Sequence, residues 1–421
     1  MHYVFIVTNS PGELIGWVRP VVRSLKKRTP GIKVVVVITP CQYASGMERE
    51  VAKGFPAVDF IVGPNEYLKY VFLGIKSSQF ASADWGVILF LGGDPFHALL
   101  LSRRLGFPAV AYTQKLRWKK HFEKFMVLNE RIKEKFIAKG VEPEKIVVVG
   151  DPVIDGVHLE RSREEVCNLW ELSQKEFIIS MLPGSTSQEV KYMAPFFLKV
   201  AELIREEFAH AQFLFLLSPF TSRDELTNIS QRELNKAFEG VIARQKKEDG
   251  HWKLVTETGL EALVIEDARY EAMNISDLAI TLPGTSTAEM AFLGIPMVVS
   301  LPLNKPQAIP LDGLAGLIGE IPWLGVLIKK WVVRSRSKQI RFTALPNIEV
   351  DREIVPEVRG VIEASLVAER AKKLLNNLTL RTNISRQLKE IAGEKGAAEK
   401  IADIVLNSGL KKNNQIKELI E

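Results

Sequence analysis

The chain has 421 residues, 46% of them apolar and 8% aromatic, enough for two or three domains with cores of their own. Its formal net charge is only +6, and between positions 321 and 348 no Asp or Glu occurs while Lys329, Lys330, Arg334, Arg336, Lys338 and Arg341 do. The molecule as a whole therefore lacks the charge of a nucleic-acid binder, and its two distant cysteines, Cys41 and Cys167, outside any CxxC or His-rich pattern, support neither a disulfide framework nor a zinc site and fit a reducing cytoplasm.

The first apolar run, residues 3–7, reads as a strand and lacks the charged start and small-residue cleavage site of a signal peptide. Further runs at 33–38, 59–62, 87–91, 109–112, 125–128 and 146–149 are separated by helical patterns. Continuous apolar strands alternating with helices predict an α/β fold with a parallel sheet covered on both faces. After Gly150 the polar stretch "DPVIDGVHLERSREE" reads as a connection, so the first domain is expected over 1–155. A second series of strands, at 177–181, 212–217, 253–255, 263–265, 278–281 and 297–300, predicts a second domain over 165–375. The segment 376–421 reads as helices, with packing back onto the first domain as one arrangement. Two doubly wound, Rossmann-like domains in tandem are expected to face one another across a cleft at the carboxyl edges of their sheets, where ligands of such folds bind.

Two stretches in the second domain share a pattern, "LPGSTSQEV" from Leu182 and "LPGTSTAEM" from Leu282. Each leaves a strand through Pro-Gly and enters a helix rich in hydroxyls with a Glu in its first turns. In the second, Ser286 and Glu289 have the spacing of a capping box, and Gly294 ends the helix. Such a helix start offers unpaired amides and a partial positive charge to an anion. Gly284 with the hydroxyls of Thr285, Ser286 and Thr287, and Gly184 with Ser185 and Thr186, are therefore candidate diphosphate contacts. The same pattern also serves a well-capped helix with no ligand. No GxxxxGK[ST] occurs, and no GxGxxG follows the first strand, which disfavours a P-loop enzyme and a dinucleotide-dependent dehydrogenase.

The first domain offers two carboxylates at strand ends. Glu13 lies in "NSPGE" after the first strand, and Asp94 follows an apolar strand and two glycines in "ILFLGGDPFHALL". Both also suit helix starts, Glu13 as a first-turn acid and Asp94 as an N-cap before Pro95.

The pieces "PGE" at 11–13, "LPGS" at 182–185, "PGTSTAEMAFLGIPMVV" at 283–299 and "LPNIEVDREIVPE" at 345–357 resemble the lipid-A-disaccharide synthase family, bacterial glycosyltransferases of the GT-B type. They occur in the family's order and cover most of the chain. The resemblance implies a GT-B-like fold and inverting, metal-independent transfer of a hexosamine-type sugar from a UDP-sugar to a lipid-linked sugar hydroxyl, with no cofactor. It implies a place in the cytoplasm, peripheral on the inner face of the cytoplasmic membrane. By position, Glu13 and Asp94 fall on the family's cleft carboxylates, Thr285, Ser286, Thr287 and Glu289 on its nucleotide corner, and Asn347, Arg352 and Glu353 on its closing segment. The chain departs from the family at Thr186, where an arginine is usual, at Trp17 in place of an acid, at Asp151 in "VGDP" in place of a histidine, and at Arg359 in place of a glutamine.

For such a transfer, amides at the two bends, with Arg352, are expected to stabilise the leaving UDP, and Asp94 or, second, Glu13 to take the acceptor's proton. The segment "LDGLAGLIGEIPWLGVLIKKWVVRSRSKQIR" is broken by Glu320 and Pro322, short of the ~20 apolar residues a spanning helix needs. Its Trp323 and Trp331 beside Lys329, Lys330 and Arg334 suit the surface of an anionic membrane instead. A smaller cluster, Lys115, Arg117, Lys119 and Lys120, surrounds Trp118. The expected partners are a UDP-sugar, a lipid-linked sugar and an anionic membrane, not nucleic acid, and a homodimer stays open. Two other readings remain: a UDP-sugar 2-epimerase, and an inactive relative that binds a nucleotide sugar or lipid.

Overall fold

The computed structural model describes residues 2–41, 45–75, 85–230, 240–302 and 341–420. The proposed membrane residues Trp323, Lys329, Lys330, Trp331 and Arg334 lie outside them. The chain forms two compact units, Met1–Gly156 with Gly393–Glu421, and Val157–Ala392. The C-terminal helices are thus divided. Leu378–Ala392 belongs to the second unit and Ala397–Ile420 to the first.

The first unit is built on a seven-stranded sheet: β1 (His2–Thr8), β2 (Lys33–Ile38), β3 (Phe60–Val62), β4 (Trp85–Phe90), β5 (Ala109–Tyr112), β6 (Lys124–Val127) and β7 (Ile146–Val148). Their order is β3-β2-β1-β4-β5-β6-β7, parallel throughout. Runs such as "FIV" in β1 and "VVVV" in β2 are buried on both faces, which explains why they carry no alternation. The chain leaves β1 toward β2 and β3, then returns to lay β4 on the other side of β1. That reversal puts a switch point between the carboxyl ends of β1 and β4.

The second unit's sheet has eight strands: β8 (Ile178–Leu182), β9 (Gln212–Leu216), β10 (Ala243–Glu248), β11 (His251–Thr256), β12 (Glu261–Ile265), β13 (Leu278–Thr281), β14 (Met297–Pro302) and β15 (Glu357–Gly360). The order is β10-β11-β12-β9-β8-β13-β14-β15. Six strands run parallel, and a hairpin turning at Asp249-Gly250, both at positive φ, adds β10 and β11 antiparallel at one edge. Here the switch point falls between β8 and β13, in which Leu182 is the partner of Thr281. The two LPG stretches therefore leave adjacent strands at the same level. Among the described residues no helix is long and apolar enough to cross a membrane.

Candidate functional site

In the second unit the two bends at the switch point differ. After β8, Thr186 caps the 19-residue helix Ser187–Arg205 and forms a capping box with Glu189. The Glu189 carboxylate accepts from the amides of Ser185 at 2.7 Å and Thr186 at 3.1 Å. Gly184, at φ 120°, is required because a Cβ there would collide with that carboxylate. The amides expected to await a diphosphate are thus already committed to an internal anion.

After β13 the bend is open. Gly284 is exposed, with nothing within 4 Å of where a Cβ would stand. The helix Ser286–Leu293 has Thr285 as its N-cap with no side-chain cap bond, and among the described residues the amides of Thr285 and Ser286 have no acceptor. The expected Ser286–Glu289 capping box does not form. With the cap at Thr285, Glu289 falls one position too late and turns inward. There it is buried, with Oε2 paired to Arg269 Nη2 at 2.9 Å and Oε1 accepting from the Tyr270 hydroxyl at 3.1 Å. Glu289 is thus no nucleotide contact. The same holds for Thr287, which is fully buried, donating from Oγ1 to the Gly284 carbonyl and accepting there from the Leu345 amide. What remains open to a ligand is Gly284, Thr285 and Ser286.

Asn347 also requires correction. It is fully buried, its Oδ1 accepts from the amides of Ile354 and Val355, and its Nδ2 donates to the Val355 carbonyl and Glu357. No donor or acceptor is left for a nucleotide, so the residue ties down the turn before β15. Arg352 is exposed beside it. Glu357, which the sequence reading passed over, is the anchor of this turn, accepting from Thr343, Ala344 and Asn347 with Arg359 3.7 Å away.

In the first unit, Glu13 and Asp94 stand at the ends of β1 and β4. Glu13 accepts from the Ser10 amide at 3.3 Å and the Gly93 amide at 3.1 Å. The glycine pair after β4 serves this contact: at Gly92 a Cβ would strike the Glu13 carboxyl, and at Gly93 it would strike Asn9. Burial raises the Glu13 pKa above the usual carboxylate value, opposed by the amides of Gly93 and Ser10. The helix then passes through a π-helical turn, Leu14–Val18, which sets Trp17 edge-on against Tyr112.

Asp94 caps the helix Pro95–Leu105, its Oδ1 accepting from the Phe96 amide at 2.9 Å. Its Oδ2 is paired with Arg117 Nη1 at 2.8 Å. Local sequence gave no sign of that pair, since the two residues come from different loops. Behind them His97 Nδ1 lies 2.9 Å from the hydroxyl of the buried Tyr67. Burial holds the His97 pKa below its ordinary value, partly countered by the Asp94 charge. Asp94, Phe96, Arg117 and Trp118 line an open pocket of about 530 Å³.

Comparison with known proteins adds kinship. Residues 143–307 match the model of a family described as lipid-A-disaccharide synthetase. A lipid-A-disaccharide synthase from Methylobacillus flagellatus is 25% identical over 368 residues, which is 84% of each chain. Three further synthases of that name match over only 56% of their own length. Among solved structures, a Neisseria meningitidis UDP-GlcNAc 2-epimerase bound to UDP-GlcNAc superposes with TM-score 0.51 at 14% identity, covering 98% of this chain and 100% of that one. Acinetobacter baumannii MurG does so with TM-score 0.50 at 14% identity, covering 96% and 94%. At such identities the structural likeness is one of fold, two α/β units of the GT-B kind.

Proposed function

We propose that this chain, a divergent relative of the lipid-A-disaccharide synthases, is a glycosyltransferase that moves a hexosamine-type sugar from a UDP-sugar to a hydroxyl of a lipid-linked sugar, with inversion and without a metal. The observation that carries the reading is the open bend at Gly284, Thr285 and Ser286, where two amides with no acceptor among the described residues begin a helix at the switch point of the second unit's sheet. A diphosphate is the anion such a bend suits: short approach to the backbone, amide donors, and the positive end of the helix dipole. As the bond from the anomeric carbon to UDP breaks, negative charge grows on the leaving oxygens, and donors already in place stabilise it without reorganising. The neighbouring bend takes part only if its Glu189 swings away from the amides of Ser185 and Thr186. Arg352, an exposed cation of the same unit, would add to this charge balance.

The acceptor hydroxyl must lose a proton as its oxygen bonds the anomeric carbon. Asp94 is the first candidate to receive it, and Glu13 the second, since both are carboxylates at the first unit's switch point. The acceptor and the family's place of work imply an anionic membrane surface, peripheral and on the cytoplasmic side. The epimerase reading draws on the shared fold with the Neisseria enzyme. Incubating the purified protein with a panel of UDP-sugars and bacterial membrane lipids, then reading the lipids by mass spectrometry, separates the two. A lipid heavier by one sugar residue is the expected result. Conversion of UDP-N-acetylglucosamine alone, with no change in any lipid, would favour the epimerase.

A further inference from the structure

The pocket of the first unit combines features that an ordinary helix start does not need. Phe96 and Trp118 are 41% and 47% exposed, and their rings lie 5.7 Å apart at 32°. Trp118 sits at φ 54°, in the left-handed region that a bulky residue with a Cβ rarely enters. That conformation closes a turn, with the His121 amide donating to the Trp118 carbonyl at 3.0 Å, and leaves the indole half open beside Phe96 and His121. The polar wall is equally particular. Asp94 has each carboxylate oxygen held by a different donor, the Phe96 amide and the Arg117 guanidinium. An exposed ion pair contributes only about 0–1 kcal/mol to stability, so the pair is better understood as setting an orientation.

We infer that Arg117 is a positioning residue that fixes the outward oxygen of Asp94, and that Phe96 and Trp118 form the platform on which the sugar ring of the acceptor stacks. This rests on the transferase reading of Asp94. A sugar ring presents an apolar C–H face and a rim of hydroxyls, and an aromatic pair flanked by a carboxylate matches both. A membrane surface is the poorer occupant, because the carboxylate would have to be buried against lipid head groups of its own sign. In the step itself, the acceptor O–H transfers its proton to Asp94 Oδ2, the freed oxygen bonds the anomeric carbon, and the bond to UDP breaks with its electron pair leaving on the phosphate. Arg117 acts through Asp94: its Nη1 lies 2.8 Å from the oxygen that receives the proton, and it neither gains nor loses a proton itself. It keeps Oδ2 in one place while the hydroxyl arrives.

Two measurements test this. In the first, transfer kinetics are compared for Arg117→Gln, Arg117→Lys, Asp94→Asn and the Arg117→Gln/Asp94→Asn double variant, with thermal unfolding followed in parallel. Arg117→Gln should lower kcat roughly 10- to 100-fold with the acceptor KM little changed, Arg117→Lys should recover part of it, and the double variant should be no slower than Asp94→Asn alone, since residues acting as a unit are not additive. Independent, multiplying losses would overturn the positioning role. The second measurement needs no transfer. Saturation-transfer NMR with N-acetylglucosamine should show ring protons in contact with wild-type protein, and that signal should fall by roughly 3- to 10-fold in Trp118→Ala, as loss of one aromatic contact implies. Equal saturation in both proteins, or loss of anionic-vesicle binding in Trp118→Ala without any sugar contact, would overturn the platform. If no UDP-sugar supports transfer yet the sugar signal depends on Trp118, the transferase reading fails and the pocket stands.

Discussion

Three glutamates follow glycine-led bends in this chain, and they end in three situations. Glu13 accepts amides from its own bend and from the next strand's glycine pair, Glu189 closes a capping box, and Glu289 is buried against Arg269 and Tyr270. Thr186 and Glu189 are three apart with Thr186 at the cap, so the glutamate reaches back to the amides. One residue of difference in where the second helix begins removes that option from Glu289, and a buried carboxylate then requires a cation. Arg269→Ala should therefore leave Glu289 buried and nearly unpaired and cost about 3–5 kcal/mol of stability by urea unfolding, with Glu289→Gln in the same chain restoring much of it. These outcomes show how far the site was legible. The bend at Gly284 could be read from "LPGTST" because turn chemistry is local, but so could the one at Gly184, and which of the two is open could not. The commitments of Glu289, Asn347 and Asp94 could not, since Arg269, Val355 and Arg117 reach them through the fold.

At the scale of elements, the apolar strands were legible, and two others were not. β10, "ARQKKE", is an edge strand whose lysines face solvent, and β15, "EVRG", buries only Val358 fully. Neither has a run or an alternation that marks a strand, because each is held by its neighbour's backbone. The helix Ala397–Ile420 shows the same dependence. Its start is held by Asp155, whose carboxylate accepts from the amides of Gly396 and Ala398 at 2.6 Å each. Its early apolar residues Ala397, Ala398, Ile401, Ala402 and Val405 are buried. The exposed pairs of Lys27 and Arg28 with Glu399 add little. Asp155→Ala should thus cost about 1–2 kcal/mol, as loss of a helix cap does, and raise hydrogen exchange across 397–408 ahead of the rest of the unit, whereas Glu399→Ala should be close to neutral.

For the whole molecule, the prediction concerns the membrane. The cations and tryptophans of 321–341 carry the proposal of an anionic surface. Binding to anionic vesicles at low salt, weakening steeply as salt rises, is the expected outcome of co-sedimentation. Replacing Lys329, Lys330 and Arg334 together by Gln should remove most of it, each charge near the surface being worth about 1 kcal/mol. Absence of binding at low salt would dismiss the membrane role. By itself the sequence determined the fold class, the doubly wound strands and the glycine-led bends, because apolar runs and Pro-Gly turns act through neighbours a few residues away. Only the tertiary structure decided which bend stays open, where β10 and β15 pair, and what engages Glu289, Asp94 and Asp155, because strand order and burial bring together groups such as Arg269 and Glu289, 20 residues apart, and Asp155 and Gly396, 241 residues apart.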